Sequence, residues 1–200
     1  MMKVIGLTGG IGSGKSTVLR FLTELGTVII NADELGHECY KPDTDVWREV
    51  VDTFGKQIVK NDGTIDRKKL GEIVFTNPEA LLQLNQIMHP RIYEAVKNQL
   101  EEYRRQEAGV VVLEAPLLLE ADWTLLVDEV WVTSASEATV LKRLKERTGL
   151  SESEALARVR AQLSLEERSK QATVVIDTEC SLDKLKAKVK DLWQKLQGGI

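Results

Sequence analysis

Cysteine is scarce in this 200-residue chain: there are two, Cys39 and Cys180. Two thiols do not make a disulfide framework. Neither belongs to a Cys-x-x-Cys pair or a Cys/His cluster, so no zinc site is indicated, and both are expected as free, buried thiols. Basic residues are not in excess. Twenty-seven Lys and Arg face 31 Asp and Glu, a net charge of −4, which leaves no electrostatic footprint for nucleic acid. Any anionic ligand must then be held by a local positive site. No apolar run reaches the ~18 to 20 residues of a spanning helix. Glycine and lysine interrupt the first 30 residues, against a signal-peptide layout. The expected location is cytoplasmic, with no membrane or nucleic-acid partner, in a monomer or weak homo-oligomer. No repeat or low-complexity segment occurs. The 42% hydrophobic and 29% charged composition suits one ordinary soluble domain carrying insertions.

What is present alternates. Lys3 to Thr8 and Thr27 to Asn31 predict short buried strands around a helix from Lys15 to Leu25, with Val18, Leu19, Leu22 and Leu25 on one face. Gly26 stops that helix. Strand patterns return at Val110–Leu113, Glu129–Val132 and Thr173–Ile176. Helices are expected at 136–147, at about 151–169, and over a closing stripe of Leu182, Leu185, Val189, Leu192 and Leu196. Trp131 falls within a strand, which makes it a core residue; Trp47, Trp123 and Trp193 read as core or interface. Continuous apolar strands alternating with helices predict an α/β fold, a five-stranded parallel sheet covered on both faces. From 34 to 108 helical patterns dominate, at 43–54, 66–75, 78–88 and 91–107. The expected division is therefore a core of 1–33, 109–147 and 171–200, a helical insertion at 34–108, and a smaller one at 148–170.

Gly9-Gly10-Ile11-Gly12-Ser13-Gly14-Lys15-Ser16 fits G-x-x-x-x-G-K-[ST], with a strand before it and a helix after it, the context this phosphate-binding loop requires. Its glycines let backbone N–H groups turn inward into an anion-binding concavity, and the helix adds its positive end. Lys15 is placed to reach the β- and γ-phosphates of ATP, Ser16 to put its hydroxyl on Mg²⁺, and Thr17 to sit by the α-phosphate. The fold class is that of P-loop NTPases. Kinases, ATPases and switches all use this loop. An Asn-Lys-x-Asp base-reading segment of the GTPase kind is missing.

Carboxylates follow two of the strands. Asp33, after the second, fits a proton acceptor for an attacking hydroxyl, a water-mediated Mg²⁺ contact, or an N-cap for a helix beginning at Glu34. Glu114 ends the third strand, where an acid supports Mg²⁺. Glu120 either points into the crevice or is solvated. Arg143 and Arg147 share a helix face and read either as a phosphoryl clamp or as a solvated pair near Glu146. His89 precedes Pro90 at an expected helix start, capping it or lining an acceptor pocket. His37 reads as a surface or domain-edge residue, and Arg160 as surface.

Taken together, GLTGGIGSGKSTV (Gly6 to Val18), Asp33 in IINADELG, DGTIDRKKLGEIVF (Asp62 to Phe75), His89-Pro90-Arg91-Ile92 and Pro116-Leu117-Leu118 with Glu120 resemble the dephospho-CoA kinase family. The spacing of Arg143, Arg147, Gln162 and Arg168 is similar to it as well. The resemblance runs from about residue 2 to 177. It implies ATP-dependent phosphorylation of the ribose 3′-hydroxyl of dephospho-CoA, with a nucleotide core, a helical acceptor-binding domain at 34–108 and a lid at 148–170. It implies Asp33 as base, Gly9 to Thr17 as the ATP loop, and Arg143 and Arg147 on phosphates. His89, Pro116, Leu117, Glu120, Arg158 and Arg168 are expected on the substrate, and Ser16 and Glu114 on Mg²⁺. One departure is visible. The family's last strand is usually followed by an Asn-x-Gly-like turn near adenine; here the place reads Asp177-Thr178-Glu179-Cys180.

Overall fold

The computed structural model describes residues 2–198. Its strands are β1 (Lys3–Gly9), β2 (Val28–Asn31), β3 (Val110–Glu114), β4 (Glu129–Ser134) and β5 (Val174–Asp177). Its helices are α1 (Lys15–Glu24), α2 (Ala32–Cys39), α3 (Asp45–Phe54), α4 (Arg67–Thr76), α5 (Pro78–Arg105), α6 (Glu137–Thr148), α7 (Glu152–Arg160), α8 (Leu165–Lys170) and α9 (Leu182–Gly198). The chain forms two compact units, one of 1–30 with 103–200 and one of 31–102. Residues 148–170 belong to the first unit. Among the described residues no helix is long and apolar enough to cross a membrane.

The first unit carries a five-stranded sheet in the order β2-β3-β1-β4-β5. β1 pairs in parallel with β3 and β4, and β4 with β5. Side chains alternate across a strand, so Ile5, Leu7, Val110, Val112, Trp131 and Ile176 share one face. They pack against Val18, Phe21 and Leu22 of α1 and Leu185, Val189 and Leu196 of α9. Each such side chain contributes about 1.5–3 kcal/mol by leaving water. Trp131 is fully buried, as a strand tryptophan in a two-sided sheet should be. Leu182 departs from the expected stripe: it opens α9 and is 60% exposed. The register sets Leu7 beside Glu114, Gly9 beside Thr133 and Ser134 beside Asp177. The loops that leave these strands therefore gather at one sheet edge, where α/β folds place their ligands.

Residues 150–170 are built from two helices that each carry their own start signal. Ser151 with Glu154 and Ser164 with Glu167 form reciprocal capping boxes at α7 and α8, satisfying N–H groups that the helix cannot. Ala155 is buried against Val140 and Leu144 of α6, with Ile11, Leu150 and Val159 around them.

The second unit has its own apolar centre, with Val46, Val50, Val51 and Phe54 of α3, Ile58, Ile65, Leu70 and Val74, and Ala80 and Met88 of α5. Two expectations are corrected here. Asn31, not Asp33, caps α2: its side chain accepts the Glu34 N–H at 3.0 Å, and the helix starts at Ala32. Residues 78–107 are not two helices with His89 and Pro90 at a start; α5 runs unbroken through Pro90 to Arg105. Asn77 caps it by accepting the N–H of Glu79 at 2.9 Å and of Ala80 at 3.3 Å, which leaves Pro78 at the first helical position, where proline is at home. The apolar face continues past Pro90 in Val96 and Leu100, both buried. A helix with that much buried face outweighs the single hydrogen bond that Pro90 forfeits. Pro90 itself is exposed. Pro90→Ala is therefore expected to raise stability by about 1–2 kcal/mol, the restored bond minus the entropy returned to the unfolded chain; urea denaturation measures it.

Candidate active site

β1 delivers the glycine-rich loop and α1 begins where it ends. Gly14 is the N-cap of α1, in a left-handed conformation with φ 91°. Its place is also crowded: a Cβ there would come within 2.9–3.0 Å of the Thr178 side chain, so only glycine fits. No side chain caps α1, and its first turn holds no acidic residue. The unsatisfied N–H groups and positive end of the helix are left to the loop's concavity. The loop is braced from below, where Ser13 Oγ lies 2.6 Å from Thr133 Oγ1 at the end of β4. It is braced from the side by Gln162, between α7 and α8, whose Oε1 accepts the Ile11 N–H at 2.8 Å.

The loop lines a cavity of about 540 Å³ with all of Gly9 to Thr17 on its wall. Its wall carries the cationic side chains of Lys15, Arg143 and Arg147 and the less polar ones of Leu144, Cys180, Leu182 and Leu185. That mixture suits a ligand that is polyanionic in one part and mostly apolar in another. Pro116, Gln162 and Thr178 complete the wall. Lys15 Nζ is ion-paired with Glu114 at the end of β3, both side chains largely shielded from water. Ser16 and Glu114 are hard oxygen donors. Mg²⁺ takes one or two protein oxygens and keeps several waters, so these two residues fit it. Among the described residues no group of three or more His, Cys, Asp and Glu is gathered as a metal cage.

Arg143 spends much of its guanidinium on the protein. Nη1 donates to the Gly12 carbonyl at 3.1 Å and to Thr178 Oγ1 at 3.0 Å, and Nη2 donates to the Thr178 carbonyl at 3.0 Å. Arg147, one turn on, is exposed. Arg168 is 1% exposed and ion-paired with Glu120 at 2.6 Å, with Nε donating to the Leu163 carbonyl at 3.2 Å. Glu120 is thus neither pointed at open crevice nor simply solvated: it neutralises a buried guanidinium. Arg158 is exposed on α7, and Leu117 is exposed on the turn after β3. Asp33 is exposed in the first turn of α2, and His89 is half-buried in α5; both belong to the second unit. Burial holds the His89 imidazole below its ordinary pKa. His37 is hydrogen-bonded to the Tyr40 hydroxyl at 2.7 Å. The two cysteines are free but only partly buried, and Cys180 borders the cavity.

Two residues visible in the sequence only as a departure, Thr178 and Glu179, organise the segment after β5. Thr178 is 2% exposed and bridges the loop carbonyl of Ser13 at 2.8 Å and that of Ser134 at 3.0 Å. Glu179 accepts the Ser136 N–H at 3.0 Å and the Ser136 hydroxyl at 2.7 Å, and also the Thr139 hydroxyl, all at the start of α6. The readable signal was Ser136-x-x-Thr139 at a helix start, which offers donors to any nearby acid. Those hydroxyl and N–H donors, Thr139 first, hold the Glu179 carboxyl below the usual carboxylate range. A depressed carboxyl favours the folded state above its unfolded pKa, and that contribution is lost as pH falls through the folded one. The clamp is therefore intact at neutral pH. Acidification below the ordinary carboxylate range should loosen it, seen as a fall in the protection of the Ser136 amide relative to its intrinsic exchange rate at each pH, and Glu179→Gln should remove that pH response.

A sequence-family model described as dephospho-CoA kinase matches residues 3–184. A dephospho-CoA kinase of Dehalococcoides mccartyi is 47% identical over 186 residues, 93% of each chain. A Thermus thermophilus crystal structure superposes with a TM-score of 0.80 at 35% identity, over 97% of both chains. A dephospho-CoA kinase from Campylobacter jejuni does so with a TM-score of 0.74 at 29% identity, over the whole of both. A phosphate loop on a five-stranded sheet, with relatives matched along nearly their full length, places the chain in the dephospho-CoA kinase family.

Proposed function

We propose that the chain transfers the γ-phosphoryl group of ATP to the ribose 3′-hydroxyl of dephospho-CoA, giving CoA and ADP in the cytoplasm, where both water-soluble polyanions reside. The observation that carries the reading is the cavity whose wall contains the whole of Gly9 to Thr17 together with Arg143 and Arg147. The loop N–H groups and the start of α1 take the phosphates. Lys15, now paired with Glu114, has its ammonium at the sheet edge where the β- and γ-phosphates lie. Arg147 supplies a guanidinium, whose planar fork matches phosphate oxygens. Ser16 and Glu114 would hold Mg²⁺, which would supply charge neutralisation on the phosphates.

Asp33 accepts the proton of the attacking hydroxyl. Two features support this. It directly follows β2, and because Asn31 caps α2, the Asp33 carboxylate is not needed for that structural task. Residues 34–108, with His89, receive the acceptor; Pro116, Leu117 and Arg158 are substrate contacts of the first unit, where the ion pair of Arg168 with Glu120 anchors residues 148–170 as a lid. Excluding water from the transfer protects ATP from hydrolysis. Most of the rate comes from positioning and charge neutralisation.

Two substitutions test the assignment. Asp33→Asn should keep ATP affinity and lower kcat by ~10²–10⁴, the usual worth of a positioned base. Near-normal kcat in a coupled ADP-release assay with dephospho-CoA, run beside a panel of nucleosides, would remove the role. Lys15→Ala should lose triphosphate affinity and at least ~10²-fold in turnover, since a charge aimed at the transferring group is gone; calorimetric titration with ATP and the same assay measure both.

A further inference from the structure

Arg143 and Arg147 share a helix face, but the structure gives them different work. Three of the five guanidinium N–H groups of Arg143 are directed at protein acceptors: the Gly12 carbonyl, the Thr178 hydroxyl and the Thr178 carbonyl, all within 3.1 Å. Gly12 is in the phosphate loop, and Thr178 opens the segment whose Cys180 and Leu182 line the same cavity. Thr178 is itself tied to the phosphate loop, its hydroxyl set against the Ser13 carbonyl at 2.8 Å and its side chain against Gly14. Its N–H donates to the Ser134 carbonyl at 2.9 Å. Glu179 pins the next residue of the segment to Ser136 and Thr139 at the start of α6.

We infer that Arg143 is a positioning residue that joins the phosphate loop at Gly12 to the segment after β5 through Thr178, so that the loop and the cavity-lining Cys180 and Leu182 of that segment keep a fixed separation. The inference rests on the reading of this cavity as the ATP site. A nucleotide's triphosphate and base are covalently joined at a set distance. A cavity whose loop and neighbouring segment are locked together meets both without an ordering cost at binding. The fork is what makes this possible: one guanidinium reaches the Gly12 carbonyl and both oxygens of Thr178, and a lysine ammonium at the same place cannot span them. The Thr178-Glu179 sequence thereby has a physical use: the turn it forms is shaped by tertiary hydrogen bonds.

The test is a double-mutant cycle read on ATP affinity without acceptor, by titration calorimetry, and on kcat at saturating ATP. Arg143→Gln and Thr178→Val should each weaken ATP binding by about tenfold, the effect of orphaning buried acceptors. The double variant should lose clearly less affinity than the sum of the two single losses, because the bond from Arg143 to the Thr178 hydroxyl is removed by both. Arg143→Lys should behave as Arg143→Gln, and kcat should stay within about threefold in all of them. Thr178→Ser, which keeps the hydroxyl, should bind ATP as the parent does. If Thr178→Val does not fold, the comparison of Arg143→Lys with Arg143→Gln still decides. Additive losses in affinity, or a large fall in kcat at unchanged affinity that Arg143→Lys restores, would overturn the inference and assign Arg143 directly to the phosphates. Should the parent protein itself bind no ATP, the underlying assignment of the cavity falls instead.

Discussion

The unsatisfied N–H groups at the start of α1 are the constraint around which the first unit is arranged. A helix that begins without a side-chain cap and without an acidic first turn forgoes stabilisation of about 0.5–2 kcal/mol that a cap would provide. The surrounding structure supplies what the helix lacks by over-determining the loop. Thr133 holds Ser13, Gln162 holds Ile11, and Arg143 and Thr178 hold Gly12 and Ser13. Each contact comes from a different element, so the loop's shape is a property of the sheet edge as a whole. The donors that remain open point at the cavity, and the net acidity of the chain does not weaken them, because the field there is local.

The charges near that edge show the same economy. Lys15 is held against Glu114, and Arg168 against Glu120. The first pair sits on the cavity wall, where a phosphate can compete for the ammonium. In the second the guanidinium is buried and makes further hydrogen bonds to Leu163 and Thr8, as a buried cation requires. Two Lys/Arg–Glu pairs of similar geometry thus differ in what they can exchange.

Much of this was legible in the residues. Strand positions, the loop and α1 follow from apolar period and glycine placement, because burial on two faces leaves a continuous run and φ above zero demands glycine. The glycine-rich loop and Glu114 could be placed because strands in a parallel sheet end at one edge. What was not legible depends on tertiary partners. Asp33 looked like a cap because acids favour that place; Asn31, two residues earlier, has an equally suitable side chain, and only the chain's path decides between them. Pro90 looked like a helix start because proline usually is one, and only the buried face of α5 on both sides of it shows why the helix continues. Arg143 and Arg147 looked alike because four-residue spacing fixes direction and not the acceptor within reach. Thr178 and Glu179 were visible as a departure, while their use depended on Ser13 and on α6, 165 and 43 residues away respectively.

The paired capping boxes of α7 and α8 bear on how residues 150–170 can move. Each helix closes its own leading end with a serine hydroxyl and a glutamate carboxylate, so neither borrows that closure from the rest of the fold. Any displacement of the segment would leave those closures intact, with Gly149, whose φ is 68°, and the short turn holding Gln162 as its joints. What it would break are the ties to the rest of the unit, from Gln162 to Ile11 and from Arg168 to Glu120.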